Sequence, residues 1–372
     1  FTSQTSSQQM SDLNIFPDPV YKGVTWNTYT FAPLTASALP DWAFIPGTAG
    51  TLETTFGALN SQGQSSFPTF VSAMATDFSL AFPNQKRRFY QVTWEPEPTW
   101  GYNGTIVQLV QYYSLSYSAI KAADPEAFVV GPTLFIDHQS TQMLTSMWAA
   151  NFAKYVDGLS IHPYTPAFPP EPPITDLQYE GFIPTLRTQL AAAKTAIGAS
   201  VSGSKTYDFA FIGTEHGFAS VTEGDLQKAQ GDTRVAVMML GEGASFDQSF
   251  WEADYWYGNN VENNNGPGFY YNLDAELPWA TLTVAPKPSV PAYAAMTYFL
   301  DGSDSDGQLN TTTGTQLAYQ FTNSHTLIST QVLWDYKETA SGYSLPAGVT
   351  VCDFMGNCGA KTSASSTVYL GP

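Results

Sequence analysis

Arg88-Phe-Tyr-Gln-Val-Thr-Trp-Glu95-Pro-Glu97-Pro98 decides how the rest of the chain is read. It is rich in β-branched and aromatic residues and runs into prolines, as a strand does at its end. Alternation sends Tyr90, Val92 and Trp94 to one face, and Gln91, Thr93 and Glu95 to the other. Glu95 is the last residue of its row. A second stretch, Asp208-Phe-Ala-Phe-Ile-Gly-Thr-Glu215-His216, repeats the arrangement. Phe209, Phe211, Gly213 and Glu215 share a face, Gly213 leaves space beside Glu215, and His216 points away.

Outward from these two stretches, strand and helix alternate. Strands are expected over 41–46, 88–95, 127–134, 156–164, 208–215 and 244–251. Helices are expected over 67–82, 106–123, 140–152, 182–197 and 224–240. In the first helix Phe70, Met74 and Phe78 stand at four-residue spacing. Such alternation means an α/β fold with parallel strands and crossover helices. A (β/α)8 TIM barrel is its natural closure, with one or two further strands within residues 1–40. A doubly wound sheet is the alternative, but no Gly-rich phosphate loop follows any strand.

After a last helix over 290–300, Asp301-Gly-Ser-Asp-Ser-Asp-Gly307 reads as a linker. Its Asp-Ser-Asp-Gly portion faintly suggests a calcium loop but lacks the later bidentate Glu. Short strands over 316–321, 326–334, 349–354 and 366–370 then predict a small C-terminal antiparallel β-sandwich. The expected domains are a catalytic barrel over 1–300 and an accessory sandwich over 301–372.

The chain has 372 residues, and its 14 Lys and Arg face 32 Asp and Glu, for a net charge of −18. So acidic a surface repels phosphate backbones, and nucleic acid is not an expected partner. No apolar run approaches a membrane span. Aromatic residues make up 15% of the chain, enough to argue against disorder and to suit binding of sugar faces. Cys352 and Cys358 flank a turn-like Met-Gly-Asn, so a hairpin disulfide and a secreted or periplasmic location are expected. The opening Phe-Thr-Ser-Gln-Thr-Ser-Ser reads as a mature, processed terminus. Four histidines without ligand spacing leave no zinc set, and no cofactor is expected. A Gly-x-Ser-x-Gly elbow is absent from the sequence.

The chemistry rests on a pair. A single glutamate in so acidic a chain is by default a solvated carboxylate. Glu95 and Glu215, however, both end strands with inward parity, and the 120 positions between them hold three βα units of about 40 residues. Two carboxylates facing each other across a barrel mouth suit glycosidic cleavage. One protonates the leaving oxygen, and the other attacks the anomeric carbon or activates water. Glu97 shares the parity of Glu95 and is its rival, isolated beyond the strand by prolines.

This layout resembles the retaining glycoside hydrolases of clan A, and within it glycoside hydrolase family 39 and its relatives. The resemblance covers roughly residues 67–300. It is carried by Phe89-Tyr-Gln-Val-Thr-Trp-Glu-Pro96, Ala119-Ile-Lys-Ala-Ala-Asp-Pro125 with Val129-Val-Gly-Pro132, Asp157-Gly-Leu-Ser-Ile-His-Pro-Tyr164, and Ala285-Pro-Lys-Pro-Ser-Val-Pro-Ala-Tyr293. It implies a (β/α)8 barrel, with Glu95 as acid/base at the end of strand four and Glu215 as nucleophile at the end of strand seven. His162 and Tyr164 match polar residues lining the site from strand six. Trp94 stands where the clan usually has an Asn that binds the sugar 2-hydroxyl. Either another group does that work or the substrate is unusual there. Trp251 is a candidate platform under a sugar ring. The expected protein is a secreted, monomeric retaining glycosidase acting on an oligo- or polysaccharide. The alternative is a non-catalytic carbohydrate-binding protein on the same scaffold.

Overall fold

The structure is a computed structural model. It describes residues 20–21, 24–25, 28–31, 40–50, 56–81, 83, 87–98, 101–165, 168–171, 186–188, 191–192, 210–250, 254, 266, 268–272, 284–311, 313–338 and 342–371. They fall into two compact units. The first holds the residues up to His162 and those between 184 and 214. The second holds those from Pro163 to 171 and everything from Glu215 on.

The first unit is built on parallel strands. These are β1 (Thr28–Phe31), β2 (Arg87–Gln91), β3 (Ala127–Phe135), β4 (Gly158–His162) and β5 (Ala210–His216), each paired in parallel with the next. β4 is buried along its whole length, as a strand covered on both faces must be. Its one hydroxyl, Ser160, pairs with Thr133 at 2.7 Å. This is a TIM-barrel-like α/β arrangement, in which the described parallel strands make a half-barrel.

Three helices cover it: α1 (Ser61–Ala81), α2 (Ile106–Ala123) and α3 (His138–Ala149). α1 begins six residues before the expected start. Asn60 Oδ1 accepts from the N–H groups of Gln62 and Gly63, so the cap lies upstream and Pro68 falls inside the helix. The buried face is also rotated from the expected one. Phe67, Val71, Ala75 and Phe78 pack inward, while Phe70 and Met74 are only half-buried. α2 has the expected bounds, with a Thr105–Gln108 capping box in front. Residues 41–46 are not a strand. Asp41–Ala43 is a 3-10 turn after Pro40, and Phe44 makes only an isolated bridge to Leu59.

Asp124, which ends α2, ties helix to sheet. Its carboxylate accepts from Arg88 Nε and Nη2 at 2.6 and 2.5 Å and from the Tyr90 hydroxyl at 2.8 Å. Arg88 and Tyr90 therefore face the helices, as the alternation requires. Beyond Gln91 the strand ends and the alternation lapses. The Thr93 hydroxyl meets Tyr113 of α2 instead of the barrel interior.

In the second unit, α4 (Asp225–Gly241) leads to β6 (Phe246–Ser249). Phe250 N–H donates to the His216 carbonyl, which sets this segment beside the end of β5. A short ladder, β7 (Tyr270–Asn272) with β8 (Val284–Pro286), precedes α5 (Ser289–Leu300). The C-terminal strands are β9 (Ser303–Gln308), β10 (Gln316–Asn323), β11 (Ser329–Asp335), β12 (Tyr343–Ser344), β13 (Thr350–Asp353), β14 (Cys358–Gly359), β15 (Ser363–Ala364) and β16 (Val368–Gly371). They form an antiparallel sheet of order β9-β10-β11-β16-β13-β14 and a separate β12-β15 ladder. Cys352 and Cys358 face each other across β13 and β14 and are joined by the expected disulfide. The supposed linker 301–307 is mostly strand. Gly302 and Gly307 take positive φ, and Asp306 accepts from Thr322 and Gln320. No helix among the described residues is long and apolar enough to cross a membrane.

Asp124 supplies a test of this packing. Burial opposes its charge, but hydrogen bonds from Arg88 and Tyr90 outweigh burial and hold its carboxyl below the usual range. Its contribution is therefore present above the ordinary carboxylate pKa and is lost as pH falls through the lowered value. Asp124→Ala removes the buried carboxylate that Arg88 pairs with at 2.5 Å. It should destabilise the fold by about 3–5 kcal/mol in urea at pH 7. A loss below about 1 kcal/mol contradicts the account.

Candidate active site

Glu95 lies four residues past the end of β2 with φ +45°, a left-handed angle that side chains rarely adopt. Such strain costs about 1–3 kcal/mol and persists only where neighbours hold it. Here the Glu95 N–H donates to the Thr133 carbonyl at 3.1 Å. On the other side Gly101 closes against the Glu95 carbonyl, and a Cβ at Gly101 would lie 1.8 Å from that oxygen. Gly101 and Tyr102 both donate their N–H groups to the Glu97 carbonyl, completing the turn.

The Glu95 side chain is buried, and its Oε1 lies 2.7 Å from His162 Nδ1 at the end of β4. One proton on that line serves either as His162 N–H donating to a carboxylate or as a carboxyl O–H donating to the ring. The ring is set by aromatic edges: Trp94 at 6.1 Å and Phe135 at 6.4 Å between centroids. Glu95, His162 and Trp94 are thus brought together.

Glu97 is buried too, but it serves another role. Its Oε1 accepts from the Phe135 N–H at 2.7 Å and the Ser140 hydroxyl at 3.0 Å, which pins the turn to the entry of α3. Burial, with the nearby Glu95 carboxylate adding to it, pushes Glu97 up to about 8 against the pull of the Phe135 N–H. At neutral pH it is a neutral acid.

In the second unit Glu215 lies near the end of β5, half-buried, and accepts from the Tyr164 hydroxyl at 2.6 Å. His216 turns the opposite way, as expected. Its Nδ1 lies 2.9 Å from Asp247 and its Nε2 3.0 Å from the Tyr293 hydroxyl. Burial disfavours its charge, but Asp247 and Asp232 overcome that and raise its pKa. Asp254 is buried and held by a clasp of its own. Lys287 Nζ sits 2.6 Å from it, with Ser220 and Gly266 as further partners. Trp251, Trp26, Trp100 and Glu252 lie outside the described residues.

Ser140 and Lys287 were not singled out by the sequence reading. Lys287, isolated between two prolines in a chain poor in cations, was the one legible signal. The pairing of Glu97 with Phe135 and Ser140 spans 38 and 43 positions and has no local pattern.

No protein-family model and no curated protein sequence matches the chain. Solved structures do. One is a family 39 glycoside hydrolase from the gut symbiont Bacteroides cellulosilyticus WH2, at 17% identity over 90% of this chain and 65% of that one, with a TM-score of 0.62. Another is a family 39 beta-xylosidase from Caulobacter crescentus, at 15% identity over 89% of this chain and 66% of that one, with a TM-score of 0.50. The chain spans about two thirds of the length of these structures. The likeness in fold agrees with the family resemblance read from the sequence.

The raised Glu97 carboxyl has a measurable consequence. The folded state keeps this proton up to about pH 8, whereas the unfolded chain releases it near the ordinary glutamate value of 4.5. Its contribution is thus fully present below pH 4.5 and is lost as pH rises toward about 8. Urea unfolding should show stability falling by a few kcal/mol over that window, to order of magnitude. Glu97→Gln should flatten the fall. Equal pH slopes in both proteins contradict the assignment.

Proposed function

We propose that this chain is a secreted glycoside hydrolase that cleaves an oligo- or polysaccharide with retention of anomeric configuration. The observation that carries the reading is a matched pair of glutamates. Each stands at or just beyond the end of a parallel strand, three strands apart in the order β2-β3-β4-β5. Each has a close polar partner from the end of β4 or the segment after it, and those partners, His162 and Tyr164, are two residues apart. Chemistry in barrels of this kind sits at the C-terminal ends of the strands. The likeness in fold to family 39 structures supports the same reading, and the disulfide suits an oxidising compartment.

In the proposed mechanism Glu95 starts protonated and gives its proton to the glycosidic oxygen as that bond breaks. Glu215 attacks the anomeric carbon and forms a glycosyl ester. Glu95, now a carboxylate, takes a proton from water, whose oxygen attacks the same carbon and releases Glu215. Two inversions give net retention. Tyr164 holds Glu215 in place through a hydrogen bond to its Oε1. His162 holds the Glu95 carboxyl in place through both steps. Retention requires the two carboxyl groups to stand about 5–5.5 Å apart, against about 6.5–9.5 Å for inversion. Trp94 offers one N–H donor in place of an amide, so the sugar 2-hydroxyl takes a different partner. Trp251 is kept as a candidate platform.

The test is a panel of aryl glycosides and polysaccharides, with xylosides first because one structural neighbour is a beta-xylosidase. Proton NMR of the first-formed product should show the substrate's configuration. Glu215→Gln should lower kcat at least about 1,000-fold with the melting temperature unchanged. Glu95→Ala should lose about 100- to 10,000-fold on poor leaving groups, and on activated aryl glycosides, where the second step limits, azide should restore turnover as a glycosyl azide. An inverted first product, or near-normal activity in Glu215→Gln, overturns the mechanism. Sugar binding without cleavage of any substrate would make the chain a carbohydrate-binding protein.

A further inference from the structure

Resting on Glu215 as the nucleophile, we propose that Glu171 and Trp334 are positioning residues that anchor the segment carrying Tyr164, and through Tyr164 orient Glu215. The segment after β4 is Pro163-Tyr-Thr-Pro-Ala-Phe-Pro-Pro-Glu171-Pro-Pro. Proline has no N–H, so a segment with this composition has few backbone donors with which to fix itself. Side chains therefore supply much of its anchorage.

Glu171 supplies the main attachment. It is buried, and its Oε1 accepts from Trp334 Nε1 of β11 at 2.5 Å. Arg234 of α4 lies 3.8 Å from the same oxygen, close enough to offset the carboxylate's charge. The Arg234 guanidinium also stacks over Phe168 of the segment, 5.2 Å from the ring centre, and over Trp334 at 6.0 Å. Phe168 in turn meets the ring of Phe218, just past β5, at 6.5 Å. Arg234 is itself held by Thr367, at 3.0 Å, and by Glu338. A carboxylate and a guanidinium buried in this way are costly unless paired, and neither takes part in the bond-breaking steps. Their arrangement fixes the segment from the antiparallel sheet and α4. At the other end of the segment, the Tyr164 hydroxyl donates to Glu215 Oε1 at 2.6 Å and so fixes the orientation of that carboxylate.

The test uses the full chain, with Glu171→Ala and Trp334→Phe made alone and in a Tyr164→Phe background. Trp334→Phe keeps an aromatic ring and loses only the N–H. Each single variant should lower kcat about tenfold with KM within about twofold, because a misplaced group costs rate rather than binding. Neither should lower kcat further once Tyr164 is Phe, since the effect passes through that hydroxyl. Glu171→Gln keeps the oxygen that Trp334 bonds and should recover most of the rate. Hydrogen exchange across 163–171 should rise in Glu171→Ala while exchange in α4 stays unchanged. Equal losses in both backgrounds, an unchanged kcat, or unchanged exchange in the segment overturn the proposal. A native chain that cleaves no glycoside overturns the hydrolase reading instead, and the exchange measurement still decides whether the anchor exists.

Discussion

The left-handed backbone of Glu95 is the constraint on which its contact with His162 depends. A strained angle at a buried acid survives only because its surroundings leave no alternative. Thr133 takes its N–H from one side, and Gly101 fits against its carbonyl from the other. Thr133 is itself left-handed, at φ +65°, where the register of β3 with β4 shifts. One irregularity in the sheet thus supports another, and together they bring the Glu95 carboxyl to His162. Regular strand geometry alone would not do this, because the alternation stops at Gln91.

A second constraint is the shortage of cations. With 14 Lys and Arg in the chain, several are placed where a carboxylate is buried. Arg88 meets Asp124, Lys228 meets Asp232, Arg234 meets Glu171 and Lys287 meets Asp254. The Arg88, Arg234 and Lys287 pairs each tie a helix or a loop to its unit, whereas Lys228 and Asp232 both lie on α4. Removing one partner leaves a buried charge, which is why such pairs specify position more than they add stability. Among the described residues no Lys or Arg meets Glu97, and burial pushes its carboxyl up instead.

The sequence made the parallel strands legible because their buried faces on both sides leave dense apolar and aromatic runs, as in Phe89-Tyr90 and Ala127 to Leu134. It made the helix α2 legible because Thr105 and Gln108 form its cap and Asp124-Pro125 ends it. It placed the start of α1 at Phe67, six residues late, because the cap at Asn60 lies outside the apolar period. It read β9 as a linker because an edge strand facing water can be all Ser, Asp, Gly and Gln. Of the candidate site, the two glutamates and the residues His162 and Tyr164 followed from strand ends and family resemblance. The burial of Glu97, the Lys287 clasp on Asp254 and the Glu171–Trp334 contact join positions far apart in the chain. No local period encodes such contacts.

The most direct measurement of the central claim is covalent trapping. A 2-deoxy-2-fluoro glycoside with a good leaving group slows both steps, and release of the sugar most where the leaving group is activated. The modified protein is then digested and the labelled peptide sequenced by mass spectrometry. The account predicts one sugar per chain, attached to Glu215. A label on Glu95 or Glu97, or continued turnover of glycosides with no covalent adduct, contradicts it.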